Sequence, residues 1–242
     1  MKIEKEIHKV ETSILDSLQK HSSMFLKMEI DSLRNYLPLF EKYVLNDNEK
    51  IEEILSQWNK TLPKEFVSTP EYLSQKLYYE KIQMASLFRN STFINCFSLL
   101  ETKLCEISCV TNQYLRLKLD ESDLKRNDID RTIKFLTKNL ELKITSRKEW
   151  QKLKLYQKTR NALVHNKGQI KTKSKKSELG GLECSQIVNS LKGISKSADD
   201  YIYLSPDFIP SFLDILESFL IAIQTEAYEE ILNKYRQNTL LD

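Results

Sequence analysis

The chain has 242 residues, 40% of them hydrophobic and 29% charged, with four glycines and five prolines. This balance excludes a disordered or fibrous protein and fits a soluble, mostly helical globular one, either a single large domain or a domain with an appendage. The formal net charge of +3 is too small to imply nucleic-acid binding by itself, so any such reading rests on how the charge is distributed.

The first twenty residues mix acids and bases and lack the apolar core of a signal peptide, which points to a cytosolic chain. Ile3, Ile7, Val10 and Ile14 alternate steps of four and three, the seam of an amphipathic helix or short coiled coil. The seam fits a dimerising arm or a helix packed on its own domain, and it degrades at Ser17 and His21. A second helix is predicted over 31–44, disturbed by Pro38, and a third over 48–60 with Asn48 as its N-cap. Pro63 and Pro70 then bracket the best domain boundary, giving an N-terminal helical segment 1–62 and a helical bundle 63–242.

In the bundle, helical patterns cover 71–87 and 91–117. In the second of these Phe93, Phe97, Leu100, Leu104 and Ile107 form a clean apolar seam with Glu101 on its flank. A helix around 128–139 follows, and Trp150 opens another that runs into the stretch YQKTRNALVHNKGQ (156–169). All four glycines (Gly168, Gly180, Gly181, Gly193) fall within 26 consecutive residues, marking 168–200 as a long connection of the kind compact domains use for function. YIYL (201–204) reads as at most one short extended segment, and Ser205 and Pro206 as the N-cap and first turn of a last helix reaching about Arg236. The apolar run Phe208–Ile223 carries Asp214 and Glu217 and is shorter than the ~20 residues that span a bilayer, so it is expected in the core and not in a membrane. The cysteines (Cys96, Cys105, Cys109, Cys184) show no CxxC pair and read as reduced core thiols.

Chemistry concentrates in the helix from Trp150. Lys154, Lys158, Asn161 and His165 follow steps of four, three and four and share one polar, cationic face. Arg160 lies roughly 140° from His165 around the axis. It borders the packed side beside Tyr156, where a planar guanidinium suits a phosphate. Gly168 is placed to end the helix in the left-handed conformation, leaving His165 in the last turn. The carbonyl ends there favour a cationic imidazole, able both to take and to give a proton. Between Lys143 and Lys176 twelve bases face one acid, Glu149, so the remaining 208 residues net −8. Such polarisation is the footprint of a polyanion site, with Lys167, Lys171, Lys173, Lys175 and Lys176 extending it along the loop to track phosphates without reading bases.

RNALVH, with Arg160, Asn161 and His165, resembles the R-x4–6-H motif of the HEPN superfamily (higher eukaryotes and prokaryotes nucleotide-binding), in which a polar residue often follows the arginine. The setting is similar too: a long helix with an acid beside its seam, an intervening helical region, the motif helix, an irregular connection and a closing apolar helix, together about 64–236. The resemblance implies an all-α HEPN-like bundle with additional N-terminal helices. It implies a homodimer whose motif helices face a shared cleft, and a metal-independent endoribonuclease that needs no cofactor and leaves 2′,3′-cyclic phosphate ends. Toxins of toxin–antitoxin pairs, abortive-infection proteins and other antiviral effectors belong to this group, so a cognate antitoxin or regulatory protein is an expected partner. In these terms His165 is the general acid and base, Arg160 the transition-state ligand, Asn161 a positioning group, and Glu101 an orienter of Arg160 or His165. The subfamily silenced by modification of a tyrosine two residues after the histidine has no counterpart here, where Lys167 stands. The alternative is a non-catalytic HEPN-like module that binds nucleic acid, a nucleotide or a partner protein.

Overall fold

The computed structural model describes residues 2–45, 56–57, 70–117, 129–166, 168, 185–196 and 201–239. Along them run α1 (Lys2–Leu45), α2 (Pro70–Leu115), α3 (Ile129–Leu140), α4 (Lys148–His165), a short helix α5 over 185–190, β1 (Ile194–Lys196), β2 (Ile202–Leu204) and α6 (Phe208–Thr239). The fold is all-α, as the composition and periodicities imply. The two strands form a single antiparallel pair with Ile194 opposite Leu204, Ser195 opposite Tyr203 and Lys196 opposite Ile202. The sequence announces only β2, through YIYL; β1 is the second extended segment that the expectation of at most one omitted.

α6 is the centre of the bundle. Phe208, Phe212, Leu216, Phe219, Leu220 and Ile223 are fully or almost fully buried on it, each such side chain contributing on the order of 2 kcal/mol of burial. The helix is 32 residues long and ends near Arg236 as expected, and its stretch Phe208–Gln237 is long and apolar enough to cross a bilayer. Here it packs against α1, α2, α3 and α4. α2 lies parallel to it: Phe93 meets Phe208 and Phe212 edge-on at 4.9 and 5.1 Å, and Tyr114 meets Tyr235 at 6.1 Å. The seam of Phe93, Phe97, Leu100, Leu104 and Ile107 is buried as expected.

Two predicted breaks are absent. The patterns over 71–87 and 91–117 are one helix, α2, because no proline or glycine interrupts 88–90. Arg89 at the junction is instead a tie: its guanidinium grips the Glu41 carboxylate in a fork of 2.7 and 2.6 Å and donates to the Leu204 carbonyl, joining α1, α2 and β2. Likewise α1 runs unbroken through Pro38, although proline removes one backbone donor. Its second half is held on α6 by Arg34, which donates to Glu217 at 2.6 Å and Asp214 at 2.7 Å.

The packed face of α1 is not the seam read from the sequence. Leu15, Leu26, Ile30 and Leu37 are buried, whereas Val10 and Ile14 are 59% and 47% exposed. The predicted helix over 48–60 and the boundary between Pro63 and Pro70 lie almost wholly outside the described residues, except that Pro70 occupies the first position of α2, where its missing N–H costs nothing. Of the thiols, Cys96 is a core group whose burial pushes it up to about 12, but Cys109 is exposed. α6 begins at Phe208, two residues after the Pro206 at which the sequence places its first turn. The Ser205 amide is committed to the Gly193 carbonyl at 2.8 Å and its own carbonyl accepts from Phe208, so a turn precedes the helix.

Candidate active site

α4 is anchored by steps of three: Trp150, Leu153, Tyr156, Thr159 and Ala162 are its buried residues. Trp150 stacks on Phe219, and Tyr156 meets Phe93, Phe208 and Phe212. Burial, with Asp214 adding to it, pushes the Tyr156 phenol well above its ordinary range, so this group is an inert part of the core. The helix enters from Arg147, which makes no side-chain cap and turns its guanidinium to Glu226.

At the other end the helix stops at His165. The amides of Asn166 and Gly168 both return to the Ala162 carbonyl, at 3.0 and 2.9 Å, and Gly168 has φ +86°. The predicted stop is therefore the observed one, and His165 lies exposed in the last turn. Gly168 also accepts from the Ile202 amide at 3.0 Å, which brings β2 to the end of the motif helix.

Arg160, Asn161 and Glu101 are brought together. Arg160 Nη1 donates to Asn161 Oδ1 at 3.1 Å, and its Nη2 lies 3.9 Å from Glu101 Oε1. The guanidinium is 24% exposed and the carboxylate 13%. Burial raises the Glu101 carboxyl above the usual carboxylate range, and the Arg160 charge opposes that rise. Arg160 Nε is buried without a hydrogen-bond partner, an uncommon state for a charged donor. His165 is not joined to this group: five residues set it roughly 140° around the axis.

Lys154, expected to contact RNA, is ion-paired. Its ammonium is held by both Asp130 oxygens, at 2.8 and 3.0 Å, and by Gln157, and it sits 5.6 Å from the Trp150 ring centroid, so Asp130 of α3 neutralises it. Nothing in the sequence pairs positions 24 apart. Lys158 is exposed on the same face. Lys167, Lys171, Lys173, Lys175 and Lys176 lie outside the described residues. Among the described residues no three His, Cys, Asp or Glu side chains gather as a metal-ligating set. Two aromatic residues were not singled out from the sequence: Tyr201 and Tyr203 are 41% and 47% exposed beside the α4 terminus, while Ile202 and Leu204 between and after them are buried. The period-two alternation of YIYL is the signal that carried them.

The chain matches no protein-family model, no curated protein and no solved structure. Its likeness to the HEPN superfamily rests on Arg160, Asn161, His165 and their helical setting alone.

Proposed function

We propose that this protein is a metal-independent endoribonuclease of the HEPN type, acting in the cytosol as a toxin or antiviral effector under a regulatory partner. The observation that carries the reading is the pairing of a sequestered Arg160, steadied by Asn161 and Glu101, with an exposed His165 in the last turn of the same helix. In the reaction, the ribose 2′-oxygen attacks the neighbouring phosphorus as its proton passes to an imidazole. The bond to the 5′-oxygen breaks as that oxygen takes a proton from an imidazolium, and the 2′,3′-cyclic phosphate remains. Arg160 stabilises the charge on the crowded phosphorane. Because Arg160 and His165 diverge within one chain, the site is composite, with His165 of a second copy meeting Arg160 of the first across a shared cleft. Lys158 and the loop lysines track the backbone, and the exposed rings of Tyr201 and Tyr203 offer faces on which unpaired bases stack.

End-labelled RNA in excess chelator tests this. Wild-type protein is expected to leave 2′,3′-cyclic ends, with His165→Ala and Arg160→Ala each slower by at least ~100-fold. Equal cutting by all three, or strict dependence on magnesium, would falsify it. The divergence of the two side chains also favours a second reading, a module that holds RNA without cutting it; binding by all three proteins with no cleavage selects that reading.

A further inference from the structure

α1 has two apolar faces, and among the described residues the body of the protein covers only one. The buried face carries Leu15, Leu26, Ile30 and Leu37. Roughly 140° around the axis, positions 14, 18, 21, 25, 28, 32, 35 and 39 alternate steps of four and three, the spacing of a coiled-coil seam. Ile14, Leu18, Phe25, Met28 and Leu39 on this seam are 39–66% exposed, and Val10, Met24 and Tyr36 beside it are 49–59% exposed. None of the eight seam positions is an acid, a lysine or an arginine. An apolar strip of this extent on a helix otherwise rich in charge marks a surface that another surface covers.

We propose that the strip is covered by the same strip of a second copy, with the two α1 helices antiparallel about a two-fold axis between Phe25 and Met28. An isologous contact requires that each residue suit its mirror position. Reflected about its midpoint, the seam sets Ile14 against Leu39 and Phe25 against Met28, large against large at the ends and the centre. It sets His21 against Ser32, polar against polar, and Leu18 against Asn35, with Tyr36 alongside. In-register parallel pairing instead confronts His21 with His21 and Asn35 with Asn35. The two central polar side chains are already served within their own helix: His21 Nδ1 bonds the Ser17 carbonyl at 2.7 Å, and Ser32 Oγ donates to the Met28 carbonyl at 2.7 Å. Their burial therefore orphans neither of those groups. The strip from Val10 to Leu39 is about 45 Å long and about 10 Å wide. Its curved accessible surface is of the order of the ~800 Å² per partner that a stable interface buries.

The contact does not depend on the ribonuclease reading. α1 meets α6 at Asp214 and Glu217, while α4 meets it at Phe212, Phe219 and Glu226, about half a turn away. Pairing through α1 leaves the α4 face open.

Light scattering coupled to size exclusion on the full chain is expected to give at least twice the 28.5 kDa chain mass, twice where α1 alone pairs and more where the α4 cleft also pairs. Phe25→Glu with Met28→Glu should weaken association by at least ~100-fold. Helical circular dichroism should not change, because Phe25 and Met28 are 52% and 56% exposed in the single chain, and any fall in the thermal midpoint should vanish at protein concentrations too low for the native chain to pair. Ile14→Cys combined with Leu39→Cys is expected to crosslink two copies under oxidation, with the native chain as the control for Cys109. Ile14→Cys alone should not, since its two copies lie about 37 Å apart. A single-chain mass at concentrations well above micromolar overturns the proposal, as does an assembly whose mass the double charge substitution does not reduce. Crosslinking by Ile14→Cys alone overturns the antiparallel arrangement.

Discussion

Glu101 is the residue through which the candidate site couples to pH. Burial holds its carboxyl above the ordinary range while Arg160, 3.9 Å away, pulls it back. A folded-state value above the unfolded one means the native protein binds more proton in the window just above the unperturbed ~4.3. Stability tied to this group is therefore intact below that value and is lost as pH rises through the folded one. Glu101→Gln has no proton to lose. Chemical denaturation at a series of pH values from about 4.3 toward neutrality is expected to show the wild type losing stability relative to the Gln variant as pH rises. Arg160→Gln should enlarge that loss, because the ionised carboxylate then lacks its counter-charge. Parallel curves for wild type and Glu101→Gln would mean that Glu101 carries no such burden and that its link to Arg160 is incidental.

At the scale of elements, two glycines end two segments in different ways. Gly193 (φ +80°) lies so close to the start of α6 that a Cβ would sit 2.5 Å from the Phe208 amide nitrogen, backbone that cannot yield without moving the helix. Gly168 (φ +86°) would place a Cβ 3.7 Å from a Leu163 methyl, an ordinary contact, so only its left-handed conformation resists substitution. Gly168→Ala is thus expected to cost about 1–2 kcal/mol, and Gly193→Ala clearly more, about 3 kcal/mol, in urea unfolding. Equal losses would show that strain and not the close approach governs both. The same contrast explains what the sequence reveals of this fold. Gly168 as a helix stop, the α2 seam and the buried α6 are local patterns, and each is written in consecutive residues. The continuity of α1 through Pro38, the burial of Leu26 and Ile30 in place of the Ile14 seam, and the start of α6 at Phe208 are decided by partners far along the chain. Arg34 finds Glu217 and Ser205 finds Gly193, and no window of neighbouring residues contains both members. The candidate site divides likewise: Asn161 beside Arg160 is adjacent in sequence, whereas the Asp130 that occupies Lys154 is not.

For the whole molecule, the decisive quantity is how much of the basic zone is available to a polyanion. Positions 143–176 carry twelve lysines and arginines against one glutamate in a chain of net charge +3. Among the described residues three of those cations are met by acids from outside the zone, Arg147 by Glu226, Lys154 by Asp130 and Arg160 by Glu101. The field of the zone is therefore weaker than a count of its residues implies, and on the proposed function the phosphate contacts are expected chiefly from the lysines between 167 and 176. Each phosphate contact on a single strand contributes about 0.7 to the slope of log K against log salt. In a cleavage-dead His165→Ala background, Lys173→Gln, Lys175→Gln and Lys176→Gln together are expected to flatten that slope by about 2 and to weaken binding alike for unrelated RNA sequences. Lys154→Gln should change the slope little, because Asp130 already neutralises that ammonium. A slope untouched by the triple change, but flattened by Lys154→Gln, would place the polyanion on the α3–α4 side of the bundle and remove the loop from the interface.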